Sequence, residues 1–229
     1  MLVAGFPAGS FAANCFVAAP AAGEECVIID PGQDSERGIE ELLDRYRLKP
    51  IAVLLTHGHL DHIWSVGPVC GAKGIPAWIH PEDRALLSDP GKGLSLGAQQ
   101  QLFGGKISFT EPDDVLELAD NATLSLAGLD FTVSHVPGHT EGSVTFRSQD
   151  EADQLDLLFA GDLLFAGSIG RTDLPGGDQR TMMASLARTL TLPDTTVVLP
   201  GHGQQTTIGA ERATNPFLAG LERPAPRGL

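Results

Sequence analysis

The chain has 229 residues, 42% of them hydrophobic, enough to fill one large core or two halves that share one. Fifteen basic residues against 29 acidic ones leave a net charge of −14, which excludes the electrostatic footprint of a nucleic-acid binder. No segment offers the roughly 18 uncharged apolar residues of a membrane span, and the N-terminus carries no basic n-region. Three cysteines, Cys15, Cys26 and Cys70, match neither a disulfide framework nor a CxxC metal pair, so packed, reduced thiols are expected. The expectation is a single cytoplasmic domain over residues 1–229, with no nucleic-acid or membrane partner; the oligomeric state stays open.

In chain order, the short apolar runs Cys15–Ala18 and Cys26–Ile29 read as neighbouring strands, the second ending in the turn Asp30-Pro31-Gly32. Between Glu36 and Tyr46, Ile39, Leu42, Leu43 and Tyr46 fall at i, i+3, i+4 and i+7, a helical stripe that can cover a sheet face. The run 51–55 is a buried strand. Directly after it stands His57-Gly58-His59-Leu60-Asp61-His62, three imidazoles and a carboxylate in six residues. Nitrogen and oxygen donors at that density suit transition-metal ions, and the carboxyl ends of strands are where sheets with helical covers place ligands.

Ala77–His80 reads as a further strand, with Pro81 placed to open a short helix through Leu87. The stretch 88–105 mixes Gly, Pro and Gln; a flap or short helix over the site and an ordinary surface excursion both fit it. Leu124–Leu126 and Phe131–Val133 form a hairpin about Gly128. Strands follow at Val144–Phe146, Leu155–Ala160 and Thr196–Leu199. Thr181–Leu190 is helical, with Met183, Leu186 and Leu190 as its apolar seam.

Three of these later strands end in a candidate ligand behind a glycine: Gly138-His139, Gly161-Asp162 and Gly201-His202. The glycine lets the backbone turn sharply out of the strand. His135 alternates with core positions, which predicts a hydrogen-bonded structural role, and His80 before Pro81 reads as the start of a helix.

HxHxDH followed by His139 in PGHT, Asp162 in AGD and His202 in PGHG resembles the metallo-β-lactamase superfamily across nearly the full chain. Asn14-Cys15 and Asp30-Pro31-Gly32 resemble its first two strands. The resemblance implies an α+β fold, a four-layer αβ/βα sandwich of two mixed β-sheets with outer helices. It implies two divalent metal ions, zinc first with iron or manganese as alternatives. His57, His59 and His139 would hold one metal and Asp61, His62 and His202 the second, with Asp162 bridging. Asp61 and Asp162 are then the carboxylates on which catalysis depends.

A hydroxide shared by two metals is a nucleophile at neutral pH, so hydrolysis is the natural chemistry. No general acid is evident, which favours a leaving group that departs unprotonated; a thiolate, with a thiol pKa of about 8.5, qualifies far better than an amine. The segment 167–178 and the ending 211–218 resemble the glyoxalase II-like branch, more narrowly short bacterial type II glyoxalases, which hydrolyse S-D-lactoylglutathione to D-lactate and glutathione. Longer members carry a C-terminal helical domain that grips glutathione; 27 residues follow His202 here, so the small-molecule thiol carrier stays open. Arg171 either clamps a substrate carboxylate or pairs with Asp173 or Asp178.

The main alternative is a persulfide dioxygenase, which shares the fold and a GRTD segment but uses one iron held by residues matching His57, His139 and Asp162. A lactonase would depend on a tyrosine in the second half, whereas the one tyrosine is Tyr46. A secreted β-lactamase is disfavoured by the N-terminus and by Asp162, and nuclease branches by the acidic charge. A non-catalytic metal-binding protein is disfavoured by seven ligands, since structural zinc sites are usually closed four-coordinate clusters.

Overall fold

A computed structural model describes residues 1–104, 109–150 and 154–221. Its first half runs β1 (Leu2–Ala8), β2 (Ala13–Ala19), β3 (Glu25–Ile29), α1 (Glu36–Tyr46), β4 (Lys49–Leu54), α2 (Leu60–Ile63), α3 (Val66–Lys73), β5 (Ala77–Ile79), α4 (Leu96–Phe103) and β6 (Val115–Glu117). The second half runs β7 (Thr123–Leu126), β8 (Leu129–His135), β9 (Val144–Asp150), β10 (Leu155–Gly161), β11 (Leu164–Phe165), β12 (Ser168–Ile169), α5 (Gln179–Thr189), β13 (Val197–Pro200), β14 (Thr206–Thr207) and α6 (Ile208–Thr214).

Two six-stranded mixed sheets result, ordered β1-β2-β3-β4-β5-β6 and β14-β13-β10-β9-β8-β7. In the first, β1, β2 and β3 pair antiparallel and β3 through β6 parallel. In the second, β7 through β10 are antiparallel and β13 joins β10 in parallel.

Period-two alternation sorts the side chains into layers. Val27, Ile29, Ala52 and Leu54 of one sheet meet Phe131, Phe146, Leu157 and Phe159 of the other in the central core. Phe16 bridges the sheets edge-on to Phe159, with ring centroids 5.6 Å apart. The opposite faces pack under helices: Cys15, Val17, Ile28 and Val53 against Ile39 and Leu43 of α1 and Val66, Val69 and Cys70 of α3. Leu158, Ala160 and Val198 pack against Met182 and Leu186 of α5 and Ile208 of α6. This is the expected four-layer αβ/βα sandwich.

All three cysteines are buried and unbridged. Burial pushes the Cys26 and Cys70 thiols up to about 12, so they stay protonated inside the outer core.

Several elements depart from the sequence reading. On α5 the fully buried methionine is Met182, with Met183 only partly covered beside Leu186 and Leu190. The turn is set by Asp178, whose side chain caps Thr181 N–H, and by Ser185, whose hydroxyl donates to Pro137 O and so occupies the buried face. The segment after Pro81 forms only a 3-10 turn at Arg84–Leu86. Residues 88–104 contain a 3-10 turn at Pro90–Gly93 and then α4, capped by Ser95; residue 105 lies outside the described residues. Among the described residues no helix is long and apolar enough to cross a membrane.

One ion pair stitches the second sheet. Arg147 on β9 grips Asp156 on β10 through two bonds of 2.7 and 2.8 Å, and Thr196 Oγ1 donates to the same carboxylate at 2.6 Å. Partial burial works against the ionised form, but the guanidinium and hydroxyl outweigh it and hold Asp156 below the usual carboxylate range. A folded-state value below the unfolded one stabilises the fold above the unfolded pKa, about 3.9, and the gain is lost as pH falls through the folded value. Asp156→Asn is therefore expected to lower unfolding free energy at pH 7 by about 1.5 to 3 kcal/mol. Urea titrations should show that gap closing below about pH 4; an equal gap at pH 7 and pH 3 would assign the effect to packing.

Candidate metal centre

The strand ends deliver the seven donors to one edge of the sandwich. β4 leads into His57, His59, Asp61 and His62, the latter two on α2, while β8, β10 and β13 lead into His139, Asp162 and His202. Among the described residues, three groups of side chains bring potential ligand atoms within 4.8 Å of one another: His57, His59 and His139; Asp61, His62 and His202; and Asp30, His57 and His62. His80 and His135 belong to none of these. Their rings stack in parallel, centroids 4.1 Å apart, and His135 Nε2 donates to Glu141 O at 2.8 Å, the structural role expected of it.

Asp162 stands between the first two groups. Its Oδ1 lies 3.4 Å from His62 Nε2, and its Oδ2 lies 3.5 Å from His139 Nε2 and 3.7 Å from His202 Nε2. Asp61 Oδ2 is 3.1 Å from His202 Nε2. His57 is 1% and His62 0% exposed, whereas the side chains of Asp61 and His202 are 23% and 32% exposed, so the centre opens to solvent on the Asp61 and His202 side.

Partners on the outer ring nitrogens fix which nitrogen faces inward. His139 Nδ1 lies 2.7 Å from Arg171 O and His62 Nδ1 lies 3.0 Å from Asp30 Oδ2; a carbonyl and a carboxylate only accept, so both Nδ1 atoms carry hydrogen. Thr56 Oγ1 donates to Asp30 Oδ2 at 2.6 Å and thus accepts from His57 Nδ1 at 3.1 Å. Each arrangement leaves Nε2 turned to the centre, as in metal sites whose outer partners set the ligand tautomer.

The residues fit divalent cations on three further observations. His57 Nε2 and Asp162 Oδ1 are buried without a hydrogen-bond partner, an arrangement that costs about 1 to 3 kcal/mol per atom unless a ligand satisfies it. His59 Nδ1 and His139 Nε2 approach to 2.8 Å, so a proton or a cation must lie between their lone pairs. Burial and neighbouring imidazoles hold His57 well below its usual range and bring His59 down to about 3, leaving both neutral, as ligands must be. Burial opposes ionisation of Asp61 and Asp162, but facing histidines outweigh it and keep both low. His62 and His202 shift upward: burial opposes it, but the Asp61 and Asp162 carboxylates facing them outweigh it.

Three participants were not singled out from sequence. Asp30, read as a turn residue, is 2% exposed and accepts Thr56 N–H at 2.8 Å as well as the two bonds above. Its three bonds go to Thr56 and to His62 Nδ1, the ring nitrogen turned away from the other donors, the placement of an outer partner of His62. The second is Thr56 itself. The third is the backbone carbonyl of Arg171. The Arg171 guanidinium makes a bidentate, solvent-exposed pair with Asp173 at 2.7 and 2.8 Å, the second of its two expected roles.

The ligand-preceding glycines divide by cause. Gly161 has φ +49, and a Cβ there would strike Thr56. At Gly201 the reason is space: a Cβ would overlap Asp162 Oδ1 and come within 2.8 Å of His62 Cε1. The Gly201 loop is held by Asn14, whose N–H donates to Gly201 O at 2.7 Å and whose amide donates to Pro200 O and Gly203 O.

The family model of the metallo-beta-lactamase superfamily matches residues 8–202. An uncharacterized protein of Mycobacterium tuberculosis is 50% identical over 226 residues, 97% of this chain and 100% of that one. The hydroxyacylglutathione hydrolase GloC of Haemophilus influenzae is 37% identical over 197 residues, 85% of this chain and 88% of that one. Among solved structures, BLEG-1 B3 metallo-beta-lactamase matches with a TM-score of 0.83 at 40% identity, covering 96% of this chain and 100% of that one. TTHA1623 in a di-iron-bound form matches with a TM-score of 0.73 at 40% identity, covering 92% and 97%.

Proposed function

The chain belongs to the metallo-beta-lactamase superfamily, and from that premise we propose that it is a two-metal thioester hydrolase that cleaves S-D-lactoylglutathione or a closely related thioester. One observation carries the reading: both ligand groups are complete, and the Asp162 carboxylate faces imidazoles of each. His57, His59 and His139 would hold one cation, Asp61, His62 and His202 the other, with Asp162 reaching both. Bound there, two zinc, iron or manganese ions supply an activated water and an electrophile for the substrate carbonyl.

The chain's own residues then set the substrate class. Tyr46, the last residue of α1, packs against the outer core, and the nearby Arg171 guanidinium is tied to Asp173, so neither offers a proton at the centre. A leaving group that departs as an anion suits such a centre, and a thiolate does so readily. Asp30, Thr56 and Arg171 O keep three imidazoles turned inward through turnover. GloC, 37% identical, is a hydroxyacylglutathione hydrolase by its name, which agrees with this class.

Two other readings are run on the same sample. TTHA1623 is known in a di-iron-bound form, which makes iron a metal to test beside zinc, and the alternative of a single-iron persulfide dioxygenase using His57, His139 and Asp162 is tested by oxygen uptake. The 40% identity to BLEG-1 makes β-lactams the other substrates to run. Purified protein should release glutathione from S-D-lactoylglutathione, without persulfide-dependent oxygen uptake and with β-lactam turnover lower by at least about 10²-fold, the scale separating a complementary from a mispositioned reaction centre. Oxygen uptake with persulfide and no thioester cleavage would replace this reading with the dioxygenase.

A further inference from the structure

Asp83 lies outside the seven donors and outside every role assigned above. It sits in the turn after β5, held by its N–H to His80 O at 3.0 Å and by Leu86 N–H to its own carbonyl at 2.9 Å. The residue is 2% exposed. Its Oδ2 accepts Gly58 N–H at 2.8 Å and the Thr140 hydroxyl at 2.7 Å, and its Oδ1 accepts Gly142 N–H at 2.8 Å. Gly58 separates His57 from His59, and Thr140 follows His139. One buried carboxylate thus joins the two loops whose imidazoles face each other at 2.8 Å.

We propose that Asp83 is a positioning residue for the His57, His59 and His139 half of the centre, a brace that sets the spacing of its two ligand loops. The inference rests on the two-metal reading. Three of the ligand loops have such outer support: Asp30 behind His62, Asn14 behind the His202 loop, and Asp83 between the His59 and His139 loops. The carboxylate is specifically required, because three donors converge on it and it donates nothing. An asparagine of the same shape keeps one acceptor oxygen and turns an NH₂ either on Gly142 N–H or on Gly58 N–H and the Thr140 hydroxyl. The loops also cannot close in to compensate, since a Cβ at Gly142 would lie 2.6 Å from Asp83 Cγ. Thr140 extends the brace to Ser143 Oγ at 2.7 Å.

The test is titration of metal-free protein with Zn(II) against a chromophoric chelator, with the urea midpoint of each metal-free variant measured in parallel. Wild type should take up two equivalents. Asp83→Asn should weaken one of them about 10- to 100-fold, the usual effect of removing an outer partner of a ligand, and leave the other within about threefold. In a His202→Ala background, which disables the opposite half, Asp83→Asn should weaken the equivalent that remains. Thr140→Ser should match wild type and Thr140→Val should weaken the same equivalent as Asp83→Asn. If Asp83→Asn does not fold, Thr140→Val against Thr140→Ser decides the matter. Wild-type affinities in Asp83→Asn, or equal weakening of both equivalents, would overturn the positioning role. Fewer than two equivalents in wild type would instead overturn the two-metal reading.

Discussion

Asp162→Ala is expected to lose both cations and to lower kcat/KM for thioester hydrolysis by more than about 10²-fold, beyond the 10- to 100-fold usual for an outer partner of a metal ligand. The carboxylate faces His139 of one donor group and His62 and His202 of the other within 3.7 Å. Two divalent cations a few ångströms apart repel each other, and the anion between them offsets that repulsion. Removing it also leaves His62 facing one carboxylate fewer. The apo fold should survive, because the substitution leaves the core contacts of Leu158 and Phe159 on β10 in place. Metal analysis beside circular dichroism checks both statements. Two retained metals with turnover near that of wild type would remove Asp162 from its bridging place.

Gly201→Ala should be nearly as damaging from one added methyl group. That group would overlap Asp162 Oδ1 and press on His62 Cε1 at 2.8 Å, while Gly201 N–H is bonded to Gly161 O at 2.8 Å and its carbonyl to Asn14 N–H at 2.7 Å. The backbone is pinned on both sides, so Asp162 and His62 must move. A misplacement of about 1 Å at a reacting centre costs about 10²-fold in rate, and a loss of that size or more is expected here. The readout that separates this from general instability is metal content: the Asp61, His62 and His202 equivalent should fall first. Wild-type metal content and rate in Gly201→Ala would mean that the backbone yields, and that the glycine is needed for neither space nor geometry.

Much of the centre was legible because its chemistry is local. Four donors fall within six residues, and His139, Asp162 and His202 each follow a glycine at a strand end. The central strands were equally plain. Leu157 and Phe159 face one core while Leu158 and Ala160 face another, so an uninterrupted apolar run marks a strand covered on both sides. Elements without such a pattern were not recognised. β1 is an edge strand of mostly half-buried residues containing Gly5 and Pro7, so alternation is blurred. α3 contains Gly67, Pro68 and Gly71, yet is held by burying Val66, Val69 and Cys70, where packing outweighs poor helix propensity.

The outer partners were hidden for another reason. Asp30 and Asp83 act through the space between loops distant in sequence, and Arg171 contributes a backbone carbonyl to His139 while its side chain pairs with Asp173. A carboxylate ending β3, the strand parallel to β4, was the available signal for Asp30; nothing in the local sequence marks Asp83.

The most direct measurement of the central claim is thioesterase rate against Zn(II) added to metal-free protein, read with S-D-lactoylglutathione. Two occupied halves sharing Asp162 predict little hydrolysis at one equivalent and a steep rise as the second is filled. Full hydrolysis at one equivalent, or none at two, would contradict a two-metal thioester hydrolase.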